Sequence, residues 1–353
     1  MSNIHHSITE LIGHTPILEL HNFEKNHNAK AHILAKLEYF NATGSVKDRA
    51  ALSMIEEAER TGKLKPGGEI VDLTSGNTGI ALAAIAAAKG YKVTIFFESG
   101  GSKERVQVIK TYGAQLFDYE DIPELKKALE DGTISDNIVI DAITKYTKEH
   151  NAFFINQCEN EYNPLAHYNT TGPEIWEDTD GNVDFVVSMA GTGGTLNGLS
   201  RYFREKNPNV KIVGVQATPD SRFFTPLSKE HGVIDGVAPF ANVDAPPSFL
   251  TDSSIYDEYI EVSTLQATGV AHELAEHEGL FLGTSGAAGI YAASIIAARP
   301  ENEGKNIVVI TADNGFKYSL PNNRIVSAAS VLCFSPGTSS AQNYSTSELL
   351  RTL

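Results

Sequence analysis

Lys47 stands in the run Asn41-Ala-Thr-Gly-Ser-Val-Lys-Asp-Arg49, where a loop gives way to a helix. A cation in a first helical turn faces the positive end of the macrodipole, a poor place for an ammonium. The position makes chemical sense if the amine works neutral, as a nucleophile that condenses with a carbonyl to a Schiff base. An ordinary surface lysine paired with Asp48 fits the same segment, and the segment alone does not choose.

Two glycine-rich turns suggest what such an amine would meet. Gly191-Thr-Gly-Gly-Thr195 follows an apolar run and precedes a helix. Small residues there let backbone N–H groups converge on an anion, and the helix N-terminus adds positive potential. The turn lacks the Lys-Ser/Thr ending of a nucleotide phosphate loop and the spacing of a dinucleotide fingerprint, so it suits a single phosphate. A tight strand–helix corner is the competing reading. Thr74-Ser-Gly-Asn-Thr-Gly79 is a second such turn. Its hydroxyls and N–H groups suit a carboxylate, and the amide of Asn77 could reach a phenolic oxygen; a simply capped turn would look the same. One ligand answers to a lysine nucleophile and two anion cradles together. It needs a phosphate, a carbonyl and a nearby carboxylate, and pyridoxal 5′-phosphate (PLP) joined to an amino acid has all three.

The elements that must hold these residues alternate. Residues 30–37, 69–73, 91–97, 115–117, 184–189, 211–216 and 306–311 read as short apolar strands. Residues 45–61, 80–89 and 102–112 read as helices, the first two stopped by Gly62 and Gly90. Repeated strand–turn–helix units predict parallel sheets with helices on both faces, with a second α/β unit beginning near residue 155. After about Pro321 the periodicity is lost and Ser, Thr and Asn accumulate, which predicts a loosely ordered tail over 321–353.

Composition narrows the partners. A net charge of −16 opposes nucleic acid and anionic membrane. Two cysteines, Cys158 and Cys333, make neither a disulfide framework nor a thiolate metal site. There is no secretory leader pattern and no apolar run of membrane-spanning length, so a cytoplasmic protein is expected. His272 and His277 fall five apart and do not share a helix face, so no metal site is expected there. Trp176 reads as core.

Four motifs, in order and at matching separations, resemble the fold-type II PLP enzymes, and among them the cysteine synthase (O-acetylserine sulfhydrylase) and cystathionine β-synthase group. They are Ser45-Val-Lys-Asp-Arg49, Thr74-Ser-Gly-Asn-Thr-Gly79, Thr170-Thr-Gly-Pro-Glu-Ile-Trp176 and Gly191-Thr-Gly-Gly-Thr195. The resemblance runs from about Ile8 to Ser319. It implies an α/β fold of two open twisted-sheet lobes. Residues 1–48 and 155–320 would form the larger, PLP-binding lobe and residues 49–154 a smaller mobile one. It implies that Lys47 holds PLP and moves the substrate α-proton, and that Asn77 bonds the ring hydroxyl. Gly191, Thr192, Gly193, Gly194 and Thr195 would bind the phosphate, and Thr74, Ser75, Thr78 and Gln157 the substrate carboxylate. A homodimer is implied as well.

Three segments depart from that family. Ala312-Asp-Asn-Gly315 places Asn314 where a Ser is expected against the pyridine nitrogen; a neutral donor there favours β-elimination over transamination. Asp235-Gly-Val-Ala-Pro-Phe240 replaces a glycine-rich loop and puts a carboxylate at Asp235, which reads either as a general base or as an exposed turn acid. Glu98-Ser-Gly-Gly-Ser102 has Gly101 in place of a bulky Met, which widens the space over the substrate; Gly283-Thr-Ser-Gly286 is one residue short. The expected reaction is β-replacement on a small amino acid by a small nucleophile, first O-acetyl-L-serine with sulfide giving cysteine. The alternatives are a relative acting on cysteine, serine or phosphoserine, and a catalytically silent regulatory homologue.

Overall fold

The computed structural model describes residues 4–74, 76–97, 103–222 and 232–318. Ser75, Gly101 with the rest of 98–102, and the 321–353 tail lie outside the described residues.

Among the described residues, ten strands build two sheets. Six lie in the order β1-β2-β10-β7-β8-β9: β1 (Ile17–Glu19), β2 (His32–Leu37), β7 (Phe185–Met189), β8 (Lys211–Ala217), β9 (Glu258–Val262) and β10 (Asn306–Thr311). The other four lie in the order β5-β4-β3-β6: β3 (Glu69–Leu73), β4 (Lys92–Phe97), β5 (Gln115–Asp118) and β6 (Phe153–Phe154). Every pairing is parallel except β1 with β2. The register is set at the centre, where Ile307 faces Ile33 and Val308 faces Val186. All four are apolar and Ile33, Val186, Ile307 and Val308 are fully buried, as parallel strands covered on both faces require.

The helices, beginning with the short α1 (His21–Asn26), follow from their apolar faces. Helix α2 (Lys47–Arg60) buries Ala50, Ala51, Met54, Ile55 and Ala58 against α3 (Asn77–Lys89). Met54 and Ile55 are removed from water almost completely, each contributing about 2 kcal/mol. Gly90, at φ +78°, ends α3 in a left-handed cap. Between β4 and β5 runs α4 (Lys103–Thr111), and α5 (Pro123–Glu130) and α6 (Asp136–His150) precede β6. Short α7 (Tyr162–Ala166) and α8 (Gly172–Asp178) flank a π-helical turn, His167–Thr171, and lead to α9 (Gly194–Lys206). The alanine-rich α11 (Thr284–Ala297), reached through α10 (Thr264–His277), is buried nearly all round and lies against β10 and β7. Trp176 packs on the cluster of Leu196, Leu199 and Phe203, as core.

Three strands were not expected from the sequence. β6 has two residues and β1 three, too few for alternation to register. β9 reads Glu-Tyr-Ile-Glu-Val, and its acidic residues mark a sheet edge rather than an interior strand. Helix α3 starts at Asn77, not at residue 80, which brings Asn77 into the first turn. No helix among the described residues is long and apolar enough to cross a membrane.

Candidate functional site

The loop before α2 is pinned to the strand end after β10. Val46 N–H donates to Ala312 O at 2.8 Å, and Ser45 bridges Asp313. Lys47 then opens the helix with no side chain capping it. Asp48 is not its partner, since the Asp48 carboxylate accepts from the Thr43 N–H at 2.6 Å and from the Thr43 hydroxyl. That removes the surface-pair reading. The Lys47 amine has no hydrogen-bond acceptor among the described residues. By surface area the residue is only half-buried, but protein surrounds it on the longer scale on which water stabilises charge. Burial therefore pushes its pKa down, against weaker pulls from Cys158 and Asp313. A lowered amine is what a Schiff-base lysine needs.

The 191–195 turn is shaped by what surrounds it. A Cβ on Gly191 would lie 2.5 Å from Gly236 O, on Gly193 2.6 Å from Leu250 Cγ, and on Gly194 2.2 Å from Asn163 Oδ1. Gly193 also has φ +87°, so glycine is required on both counts. The Thr192 hydroxyl accepts from Gly194 N–H at 3.3 Å and from Asn163 Nδ2 at 3.0 Å. Thr195 Oγ1 lies 3.1 Å from Nε2 of His167, whose Nδ1 lies 2.9 Å from Thr171 Oγ1. His167 is fully buried; burial, with the charges of Arg49 and Lys47, holds its pKa well below the usual range. The imidazole is neutral, with one donor and one acceptor nitrogen, and so sets the direction of the Thr195 hydroxyl. A bare-glycine cradle at the N-terminus of a thirteen-residue helix fits a phosphate.

The 74–79 turn joins β3 to α3. The buried Thr78 hydroxyl donates to Gln157 Oε1 at 2.7 Å, which leaves the Gln157 N–H₂ group as a donor for an anion. Asn163 Nδ2 also donates to Gln157 O at 2.8 Å, so one carboxamide ties this turn to the 191–195 turn. Below it, burial pushes the carboxyl of Asp72 up to about 7, with the N–H groups of Leu73, Gln157 and Asn156 pulling the other way.

Asn77 donates from Nδ2 to Asp313 Oδ2 at 2.7 Å. Asn314 is half-buried, and its Oδ1 caps the Phe316 N–H at 3.1 Å, leaving its N–H₂ group as the part able to meet a ring nitrogen. Ser285, in the first turn of α11, is a second candidate for that contact. It is 7% exposed and its hydroxyl has no hydrogen bond among the described residues. Asp235 is half-buried and ion-paired. Arg105 of α4 binds it at 2.9 Å and lies over the Tyr318 ring at 5.2 Å. The same guanidinium is 3.6 Å from where a Cβ on Gly76 would stand, at the carboxylate turn. The structure thus brings together Lys47, Asn77, Thr74, Thr78, Gln157 and the 191–195 turn. Asn163, His167, Asp72 and Arg105 escaped sequence reading, and Ser285 appeared there only within Gly283-Thr-Ser-Gly286, without a role. Ser285 alone carried a signal, as a Ser between small residues at a helix start.

A lysine with a depressed pKa stands with two glycine-rich turns at the ends of parallel strands, and the chain belongs to the pyridoxal-phosphate dependent enzyme family, which matches residues 8–313. It is 38% identical over 316 residues to a cysteine synthase of Staphylococcus aureus, covering 88% of this chain and 94% of that one. The solved cysteine synthase of Entamoeba histolytica superposes with a TM-score of 0.74 at 37% identity, covering 90% of this chain and 89% of that one. An O-ureido-L-serine synthase superposes with a TM-score of 0.75 at 33% identity, over 89% and 93% of the two chains. The fold is the α/β fold of fold-type II PLP enzymes.

Proposed function

We propose that the chain catalyses PLP-dependent β-replacement on a small amino acid, with O-acetyl-L-serine and sulfide giving L-cysteine. The observation that carries this is the Lys47 amine, lowered by burial and without a hydrogen-bond acceptor among the described residues, placed among turns suited to one phosphate and one carboxylate. When bound, PLP supplies an electrophilic carbonyl and a conjugated ring that accepts electrons from the substrate α-carbon.

In this reading Lys47 holds the cofactor and carries the α-proton, because a neutral amine can take a proton that an ammonium cannot. Gly191, Thr192, Gly193, Gly194 and Thr195 hold the phosphate, and His167 orients Thr195. Thr74, Ser75, Thr78 and Gln157 hold the substrate carboxylate. Asn77 bonds the ring hydroxyl, and Asn314 or Ser285 faces the ring nitrogen as a neutral group. Asp235 acts by holding Arg105 at the carboxylate turn, and Gly101 leaves room for the incoming nucleophile. Residues 49–154 form a smaller mobile lobe on the larger one of 1–48 and 155–320, a division supported by the origin of the four-stranded sheet within 69–154. The protein is cytoplasmic and a homodimer. Two large apolar side chains that stand open to solvent, Phe40 at 56% and Phe316 at 81% exposure, support self-association.

Steady-state rates with O-acetyl-L-serine, phosphoserine, serine and cysteine, each with and without sulfide, test the assignment. Cysteine formation from O-acetyl-L-serine, abolished in Lys47→Ala, is expected. Turnover of another donor alone would replace the substrate and keep the class, the O-ureido-L-serine synthase being a relative with a different name for its product. Failure of the purified chain to take up PLP would end the reading.

A further inference from the structure

Asn77 makes more contacts than the proposed function uses. Its Oδ1 accepts from Lys317 Nζ at 2.9 Å while its Nδ2 donates to Asp313 Oδ2 at 2.7 Å. Lys317 is held in turn by Gly44 O at 3.1 Å, on the loop that leads to Lys47. Asp313 is fully buried, accepts from the Tyr318 hydroxyl at 2.6 Å, and keeps Oδ1 without a partner.

Chemistry makes this arrangement one-way. An ammonium only donates and a carboxylate only accepts. Turning the Asn77 carboxamide over would set N–H₂ against Lys317 and oxygen against oxygen at Asp313. The orientation of the amide is therefore fixed: its oxygen, turned to the ammonium, is a weakened acceptor, and its N–H₂ group keeps one N–H to give. The Asn77 carbonyl is polarised by a cation whose own pKa is lowered by burial. That polarisation makes the remaining N–H a stronger donor.

We propose that Lys317 and Asp313 are positioning residues that lock the orientation of the Asn77 carboxamide so that it presents its remaining N–H to the cofactor's ring hydroxyl, favouring the deprotonated phenolic oxygen. This rests on the PLP reading above and deepens it. Neither residue needs to touch the cofactor. Their effect passes through one carboxamide, 236 and 240 residues away in the chain.

The test uses the full chain reconstituted with PLP, and reads the visible spectrum of the bound cofactor against pH together with PLP affinity. Lys317→Met removes both donor and charge. Lys317→Gln keeps a donor and drops the charge, and Lys317→Arg keeps both. Lys317→Met is expected to shift the balance of the two absorbing forms toward the protonated phenol and to weaken PLP binding about tenfold. Lys317→Gln should fall between, and Lys317→Arg should return both readouts to wild type. If Lys317→Met does not fold, the Gln and Arg variants still decide, because unchanged spectra in Lys317→Gln would overturn the proposal. So would a Met variant with wild-type spectrum and affinity. A wild-type chain that never binds PLP would instead sink the reading beneath it, so the two failures are distinct.

Discussion

Asp72 offers the sharpest check on the electrostatics of the site. It is 1% exposed at the end of β3, and its Oδ2 has no partner. Its carboxyl is raised by burial from the ordinary 3.8 to about 7, the backbone N–H groups of Leu73, Gln157 and Asn156 offsetting only part. Between those values the unfolded chain has already lost the proton while the folded chain keeps it. The unfolded state binds fewer protons, so stability falls as pH rises through this window and levels off above the folded value. The window spans about three units at about 1.4 kcal/mol each, a loss of about 4 kcal/mol when complete. Asp72→Asn cannot titrate. Urea unfolding of both proteins, saturated with PLP, from about pH 4 to about pH 8 should show the wild type losing stability relative to the variant by that amount. A stability difference that stays constant with pH would refute a carboxyl kept neutral by burial.

Two further predictions concern how the turns are held. In Gly194→Ala the new Cβ would lie 2.2 Å from Asn163 Oδ1, so the carboxamide that ties Gln157 to Thr192 must move. Overpacking plus two lost hydrogen bonds should cost about 3–5 kcal/mol and most PLP retention, whereas Gly269→Ala, mid-helix with nothing within 4 Å, should stabilise by about 1 kcal/mol. Equal melting temperatures for the two variants would contradict the packing. For the Arg105–Asp235 pair, partly buried at 2.9 Å, a double-mutant cycle with Arg105→Met and Asp235→Asn should give a coupling of about 1–2 kcal/mol in substrate kcat/KM; additive effects would mean that Asp235 works independently of Arg105.

How much of the site could be read in advance depended on range along the chain. The segments around Lys47, Asn77 and 191–195 stand out because each announces itself within a few residues: a cation at a helix start, glycines between strand and helix. The strands of the two sheets were legible where apolar and β-branched residues clustered between turn signals, as over Ile307–Ile310, and β1, β6 and β9 were missed where the run was short or edge-like. Asn163, His167 and Arg105 gave no local sign, since a polar residue in a helix looks alike whether it faces water or a buried threonine.

The amino-acid sequence alone determined the alternating α/β order, the lysine at a helix start and the two glycine-rich turns, because backbone conformation and helix polarity are set by near neighbours. Tertiary structure alone decided what each of these groups faces. It freed Lys47 from Asp48, gave Asp235 to Arg105, and set Asn77 between Asp313 and Lys317. Hydrogen-bond partners more than two hundred residues apart are chosen by sheet order and packing, and neither is written in local spacing.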